Sequence, residues 1–563
     1  MSNDITQNSS PGALIIGRWP EGAIVYQVYP RSLQDSDGDG IGDLPGVTKR
    51  LDYLQELGVN AIWLSPFYPS PMADFGYDIA DYCDVNPMFG TLDDFRALQA
   101  GCQQRGIKVM VDLVPNHSSD DHEWFQASRR SRTNRYANWY IWRDAKGFRE
   151  DGTPIPPNNW KDALTGGPAW EWVEAREQFY LHGFDVRQPD LNWSNAQVRE
   201  AIKEAMRFWL RLGVDGFRVD AVYWMAKDPL FRDDSPNKEY VEGTDPPYES
   251  LMHDNSRGWP AVYFYLAEMD GVLKEKEFQD KPRFMVTEAY PEGHNPVDSY
   301  LEFYAGVDPL VAAPFNFEGI MLGWEAGPWH RFLRSFHEAL LQQSPLCVPS
   351  YAFGNHDQPR LASRIGEPQS RAAAVMEYSL PGMIFVYNGE EIGMVNVDIP
   401  KDKVQDPAAL NDPAKGMGRD PSRTPMQWTS GPMAGFTDGD DTWLPLAPDY
   451  TERNVEMQSK DPDSHLSLYR RLGELRNSSD ALRHGDIRVL ELDAPHVLGF
   501  VRTYNHERLL TMVNFGAQDI SVNVPLQVQE AVVSSISSDI PAIDDDERDL
   551  IRLRPHEAVI YRL

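Results

Sequence analysis

The chain is poor in cysteine. Cys83, Cys102 and Cys347 stand far apart among 563 residues. That spacing builds neither a disulfide framework nor a thiolate metal site, and it fits reduced thiols in a cytoplasm. Basic residues are the minority charge: 53 Lys and Arg face 85 Asp and Glu, a formal net charge of −32. Such a surface repels phosphate backbones and argues against a nucleic-acid partner. No stretch approaches the ~18 consecutive apolar residues that a membrane span needs. The first residues, Met1 to Gly12, are polar and carry no basic start, and the apolar burst Ala13 to Ile16 is too short for a signal-peptide core. These features predict a cytoplasmic protein with a loose first dozen residues. Internal repeats and low-complexity tracts are missing as well.

What is present is an ordinary globular composition, 41% hydrophobic and 25% charged, in a chain long enough to bury a large core. The dominant rhythm is short apolar strand, loop, amphipathic helix. Strand candidates are Ala23 to Tyr29, Asn60 to Ser65, Ile107 to Asp112, Val214 to Asp220, Arg283 to Thr287, Val311 to Phe315, Ser350 to Gly354 and Met383 to Asn388. Eight such strands with helical crossovers predict a (β/α)8 barrel. The interval between the third and fourth is far longer than one crossover helix requires. It predicts an inserted subdomain over residues 116–187, with barrel sequence in 1–115 and 188–480. Residues 389–451 are dense in Asp, Pro and Gly and read as a loop subdomain after the eighth strand. From residue 486 to 563 the texture changes to short strands and turns, which predicts an all-β C-terminal sandwich.

Polar residues cluster at the predicted C-terminal strand ends. Asp112 ends the third strand, Asp220 the fourth and Glu288 the fifth, and His356 and Asp357 follow the seventh. A barrel gathers these ends on one face, where catalytic groups collect. Several carboxylates from separate strands, with His117, Arg218 and His356 nearby, suit acid/base and nucleophilic chemistry. Arg218 lies two residues before Asp220, so in a strand both point to one side.

The segments DLVPNH (Asp112 to His117), GFRVDAV (Gly216 to Val222), VTEAY (Val286 to Tyr290) and GNHDQPR (Gly354 to Arg360) resemble the four conserved regions of the α-amylase family of glycoside hydrolases. QPDLNW (Gln188 to Trp193), GYDIADY (Gly76 to Tyr82) and RDPSRTPMQW (Arg419 to Trp428) resemble its oligo-1,6-glucosidase and α-glucosidase branch. The resemblance implies Asp220 as nucleophile, Glu288 as acid/base with a raised pKa, and Asp357 as transition-state stabiliser. Arg218 would keep the nucleophile ionised. His117 and His356 would bind glucose hydroxyls and Tyr77 would stack on the ring. Phe184 would line the pocket, and Asp74 would pair with Arg423 to close its floor. The implied activity is an exo-acting retaining α-glucosidase on short α-glucosides. Ala221 after the nucleophile points to α-1,4 links, as in maltose and malto-oligosaccharides. The alternatives are an oligo-1,6-glucosidase or a transglucosylase or isomerase of the same family, trehalose synthase-like or sucrose-acting.

A separate signal follows the first strand. Asp35, Asp37, Asp39 and Asp43 alternate along a glycine-rich turn, an oxygen-rich pattern suited to a hard cation. It resembles the start of an EF-hand loop, but Gly46 stands where the closing Glu would be. The branch carries a similar loop, which implies a structural Ca2+ or Mg2+ held by those four carboxylates and the Ile41 carbonyl.

Overall fold

The computed structural model describes residues 19–290, 295–411, 416–540, 543 and 548–563. The expected loose start, residues 1–12, lies outside them. Eight short strands are Ile24–Val28, Ala61–Leu64, Lys108–Leu113, Gly216–Val219, Phe284–Thr287, Ala312–Pro314, Ser350–Ala352 and Met383–Tyr387. All pairs are parallel, each strand with its neighbour in sequence except the sixth with the seventh, and the first pairs with the eighth through Ile24 opposite Ile384. The sixth and seventh strands meet through Ala352 N–H donating to Asn316 O at 3.2 Å and Ser350 Oγ donating to Pro314 O at 2.7 Å. Together these contacts close the sheet as a barrel.

The strand sequences are mostly apolar because both faces are covered, by the barrel interior and by the outer helices. The helices carry their own instructions. Thr91 and Asp94 form a reciprocal cap at the start of Leu92–Gln104. Helix Ala196–Arg211 starts at a capping Asn195 and buries Val198, Ile202, Ala205, Met206 and Trp209, one helical stripe turned to the barrel.

The (β/α)8 barrel with a lobe after the third strand and an all-β C-terminal part is the observed architecture. The inserted lobe carries the antiparallel strands Trp142–Arg143, Trp170–Val173 and Gln178–Leu181 around Trp160, Trp170 and Phe179. Its return is tied to its exit by Leu191 N–H donating to Asn116 O at 2.8 Å. A second excursion, residues 226–258, follows the fourth strand and was not singled out in the sequence. It leans on the lobe through Asn158 Nδ2 to Phe231 O at 3.1 Å and Trp160 Nε1 to Arg232 O at 2.8 Å. Polar, nearly strandless sequence left no periodicity to read there.

The C-terminal part holds a five-stranded sheet and a two-stranded one, packed through Leu490, Val501, Leu510, Val522 and Ile551. Two of its strands, Glu530–Ser534 and Leu550–Leu553, escaped the sequence reading. Each is short and half-exposed. Among the described residues no helix is long and apolar enough to cross a membrane.

Candidate active site

Asp220 and Glu288 each sit one residue beyond a barrel strand, yet their backbones stay locked to the sheet. Asp220 N–H donates to Leu113 O and Glu288 N–H to Val219 O, both at 2.8 Å. Their side chains converge on Arg218, which is fully buried inside the barrel and lies opposite Asp112 in register. Arg218 Nη1 reaches Asp112 Oδ1 at 2.8 Å and Asp220 Oδ1 at 2.6 Å, and Nη2 reaches Glu288 Oε1 at 2.9 Å. Asp220 and Glu288 are also within mutual hydrogen-bonding reach. Ala221 N–H donates to the other Glu288 oxygen at 3.0 Å. That amide is aimed by a left-handed turn at Ala221, φ 47°, a conformation uncommon outside glycine, Asn and Asp.

Three carboxylates around one guanidinium leave the cluster short of positive charge. Burial pushes Asp220 well above the usual carboxylate range, and Glu288 and Asp112 add to the push against the opposing pull of Arg218. Arg218 alone therefore does not hold Asp220 in the ordinary range, in contrast to the expectation from their spacing. Burial likewise takes Asp112 up to about 6, although Arg218 and the Trp63 indole oppose it. Asp112 serves as an anchor: its Oδ2 accepts from Trp63 Nε1 at 2.9 Å and Tyr77 OH at 3.1 Å.

Asp357 behaves in the opposite way. Burial opposes its ionisation, but the surrounding positive charge wins and holds it well below the usual range. His356 lies beside it, but burial pushes that imidazole down to about 3, so at neutral pH the arginines Arg423 and Arg419 supply that charge. Arg423 Nη2 lies 2.7 Å from Asp357 Oδ1 and Arg419 Nη1 3.3 Å from the same oxygen.

Here the structure corrects one expectation. Asp74 pairs with Arg419 rather than Arg423: Arg419 Nη2 is 2.6 Å from Asp74 Oδ1. Arg419 is itself held by Asp406, at 2.8 Å. Arg423 is fully buried behind the site, where Nε also donates to His356 O at 2.8 Å. Both arginines belong to RDPSRTPMQW, and their order along the chain gives no sign of which reaches forward. Asp406 carried no signal at all. Asp78, whose carboxylate accepts from the Ala73 and Asp74 amides at 2.8 and 2.9 Å, shapes the turn that presents Asp74.

The rings come together as a wall. Tyr77 stacks on His356 with centroids 5.3 Å apart and planes 8° from parallel. His117 lies 5.1 Å from Phe184, which lies 5.0 Å from Trp224. The two histidines differ in what they offer. His117, pushed down to about 4 by burial, has Nε2 at 3.1 Å from Tyr77 O and Nδ1 at 3.1 Å from Asn116 Nδ2. His356 accepts from Gln27 Nε2 at Nδ1, 2.8 Å, which leaves the proton on Nε2. That buried Nε2 has no hydrogen-bond partner and stands 3.3 Å from Asp357 Oδ2. Behind the wall, Lys227 Nζ bridges Asp190, at 2.5 Å, and Asn116, at 3.0 Å, and fixes the mouth of the inserted lobe.

On the loop after the first strand, carboxylate oxygens of Asp35, Asp37 and Asp39 lie within 4.8 Å of one another. Donors so spaced can share one hard cation at about 2.4 Å. Asp35 is also knitted to its own loop, accepting from Gly38 N–H at 2.8 Å, Gly40 N–H at 2.8 Å and Thr437 Oγ1 at 2.5 Å. Asp43, expected in the same cage, has another task. It caps helix Leu44–Lys49, accepting from Gly46 N–H at 2.6 Å and Ser36 N–H at 2.9 Å.

The sequence comparisons agree with this geometry. Residues 27–485 match the profile of the α-amylase catalytic domain, and residues 487–560 match the C-terminal domain of maltogenic amylase. Maltase 1 of Drosophila virilis is 39% identical over 100% of this chain and 89% of its own length. The oligo-1,6-glucosidase of Parageobacillus thermoglucosidasius is 36% identical over 97% of this chain and 99% of its own. Among solved structures, an α-glucosyl transfer enzyme superposes with a TM-score of 0.86 at 37% identity, covering 97% of this chain and 99% of that one. Trehalulose synthase from Pseudomonas mesoacidophila gives 0.81 at 34% identity, covering 96% and 98%. The chain belongs to the α-amylase family of glycoside hydrolases.

Proposed function

We propose that this enzyme is an exo-acting α-glucosidase that retains anomeric configuration and releases α-glucose from short α-glucosides. The observation that carries the reading is the closeness of Asp220 and Glu288, clasped by one guanidinium and within hydrogen-bonding reach of each other. Inverting glycosidases need ~6.5–9.5 Å between carboxyl groups to seat a water, whereas retaining ones use ~5 Å. In this reading Asp220 attacks the anomeric carbon while Glu288 protonates the leaving oxygen. Glu288 then takes a proton from water, which displaces Asp220 and frees glucose with its configuration kept. Asp357, ionised among arginines, accepts hydrogen bonds from sugar hydroxyls, and His356 Nε2–H donates one. Tyr77 supplies the stacking face. His117 must release Tyr77 O before it can serve a hydroxyl. Phe184 borders the same space.

The Asp74–Arg419 pair supports exo-action, because a bridge from the loop after the second strand to the loop after the eighth bars passage of a longer chain. Arg423 acts through Asp357. The names of the relatives, maltase and oligo-1,6-glucosidase, leave the linkage open between α-1,4 and α-1,6. Ala221 favours α-1,4 links in maltose and malto-oligosaccharides. Likeness to an α-glucosyl transfer enzyme and to a trehalulose synthase supports a second reading, in which a sugar rather than water takes the glucose. A structural Ca2+ or Mg2+ at Asp35, Asp37, Asp39 and the Ile41 carbonyl belongs to the proposal, as does a cytoplasmic setting. The ion would neutralise the crowded carboxylates and stiffen the loop. Asp43 would join through Oδ1, which accepts one bond, from Gly46 N–H, and keeps a lone pair.

A proton NMR time course on an equal mixture of maltose, isomaltose, sucrose and trehalose tests the function. Early α-glucose from maltose is the expected result. New glycosidic linkages with little free glucose would transfer the assignment to the transglucosylase reading. Early β-glucose would refute the retaining mechanism.

A further inference from the structure

The first barrel strand, Ile24–Val28, is buried along its whole length and carries one amide side chain, Gln27, among Ile24, Val25, Tyr26 and Val28. A primary amide inside a barrel is costly unless its hydrogen bonds are met. The Gln27 amide nitrogen has two hydrogens and finds two acceptors, His356 Nδ1 at 2.8 Å and Ser65 Oγ at 3.2 Å. Gln27, Ser65 and His356 are all buried. The imidazole is also held in its plane. Tyr77 lies almost parallel to it at 5.3 Å, Tyr29 stacks at 5.6 Å, and Trp63 meets it edge-on at 6.2 Å. Its two nitrogens therefore point in fixed directions, Nδ1 to Gln27 and Nε2 to Asp357.

Which nitrogen carries the proton depends on how the amide is turned. Burial keeps the ring neutral at neutral pH, so it has one proton to place. The charged groups around it are Asp357, Arg423, Arg218 and Arg419. Asp357 Oδ2 stands 3.3 Å from Nε2, and its arginines keep it ionised. With the amide nitrogen toward the ring, Nδ1 is the acceptor and Nε2–H faces the carboxylate. With the amide turned over, Oε1 would draw the proton to Nδ1 and set the Nε2 lone pair against the Asp357 charge. The other contacts do not choose between the two. The Ser65 hydroxyl serves either way, as acceptor or donor, and each orientation leaves one buried amide atom unpaired, Oε1 in the observed one. The charge on Asp357 therefore selects the observed orientation.

We propose that Gln27 is a positioning residue for the reaction: backed by Ser65, it pins His356 as a permanent Nε2–H donor beside the Asp357 carboxylate. The two groups then present one hydroxyl with both of its partners. A sugar hydroxyl accepts from Nε2–H and donates to Asp357. An ether oxygen can only accept there, and an ammonium can only donate. The role in turnover rests on the functional reading above; the hydrogen-bond chain from Ser65 through Gln27 to His356 rests on the geometry alone.

Nitrogen NMR of the full-length protein carrying isotope-labelled histidine reads the proton directly, with the His356→Asn protein to assign the signals. At neutral pH, His356 should show a protonated Nε2 and an unprotonated Nδ1. A protonated Nδ1 overturns the proposal. A double-mutant cycle then tests the role in turnover. Gln27→Met keeps the length of the side chain and removes both N–H donors. It should lower kcat/KM for maltose about tenfold, the scale of one hydrogen bond, and by less than about twofold in the His356→Asn background. Equal losses in the two backgrounds overturn the proposal, because a Gln27 that serves packing alone acts whether or not the imidazole is there. Ser65→Ala loosens the amide without touching the ring. It should show the same dependence on His356 at smaller scale, and it keeps the cycle readable if Gln27→Met does not fold. Failure of the functional reading looks different: wild-type enzyme leaves maltose intact, while the nitrogen spectrum still shows Nε2–H.

Discussion

Two acid-rich sites stand beyond the strand ends of this barrel, and they handle like charge in opposite ways. Around Arg218, three carboxylates share a guanidinium, and burial, reinforced by the neighbouring carboxylates, drives Asp112 and Asp220 upward against the pull of Arg218. On the loop after the first strand, Asp37 and Asp39 are exposed and Asp35 is neutralised by its own backbone amides and Thr437. Burial makes the first cluster costly and therefore reactive. Solvent and local amides make the second tolerable without any arginine. The contrast shows that acidic residues acquire chemistry from their surroundings rather than from their number.

Replacement of the reacting group probes the first site most severely. Asp220→Asn should lower kcat on an aryl α-glucoside by on the order of 10^4-fold or more, with the fold intact by circular dichroism; turnover near wild type would remove the mechanism. Arg218→Met comes next. It strands three buried carboxylates, so urea unfolding should show a loss of about 3–5 kcal/mol together with a collapse of activity. An unchanged unfolding midpoint would mean that the cluster does not depend on its cation. Arg419→Ala should raise KM for maltose at least about tenfold and lower kcat less, because the floor opens while Arg423 still holds Asp357. Arg423→Ala should instead act mainly on kcat. The reverse pattern would restore the Asp74–Arg423 pairing expected from the motif.

The next probe is a shift rather than a loss. The acid limb of kcat/KM reports ionisation of the nucleophile in the free enzyme. Asp112 contributes to the upward push on Asp220, so Asp112→Asn should move that limb to lower pH, whatever happens to the plateau. A limb that stays in place would show that Asp112 does not act on Asp220 by charge. The smallest effect belongs to the exposed loop. Chelation, or Asp37→Ala, should lower Tm by about 1–3 °C and leave kcat at 25 °C unchanged. A loss of activity at constant Tm would place the ion in the reaction instead.

The barrel was legible because its strands are mostly apolar runs, and its helices carry capping residues such as Thr91 and Asn195. Asp112, Asp220, Glu288 and Asp357 were legible because they punctuate those runs. Arg419 and Asp406 were not, since they sit in a loop rich in Asp, Pro and Gly with no periodicity to orient them. The same holds for residues 226–258 and for the strands Glu530–Ser534 and Leu550–Leu553.

The sequence by itself therefore determined the barrel, the family resemblance and the carboxylates at the strand ends, because strand periodicity and residue type are local properties of the chain. Tertiary structure alone decided which arginine meets Asp74, which histidine keeps a free N–H and how far each carboxylate is pushed. It also decided which aspartates of the loop face one another. Those outcomes depend on what lies across a gap from a side chain, and the neighbours come from strands and loops hundreds of residues apart, as with Asp74 and Arg419.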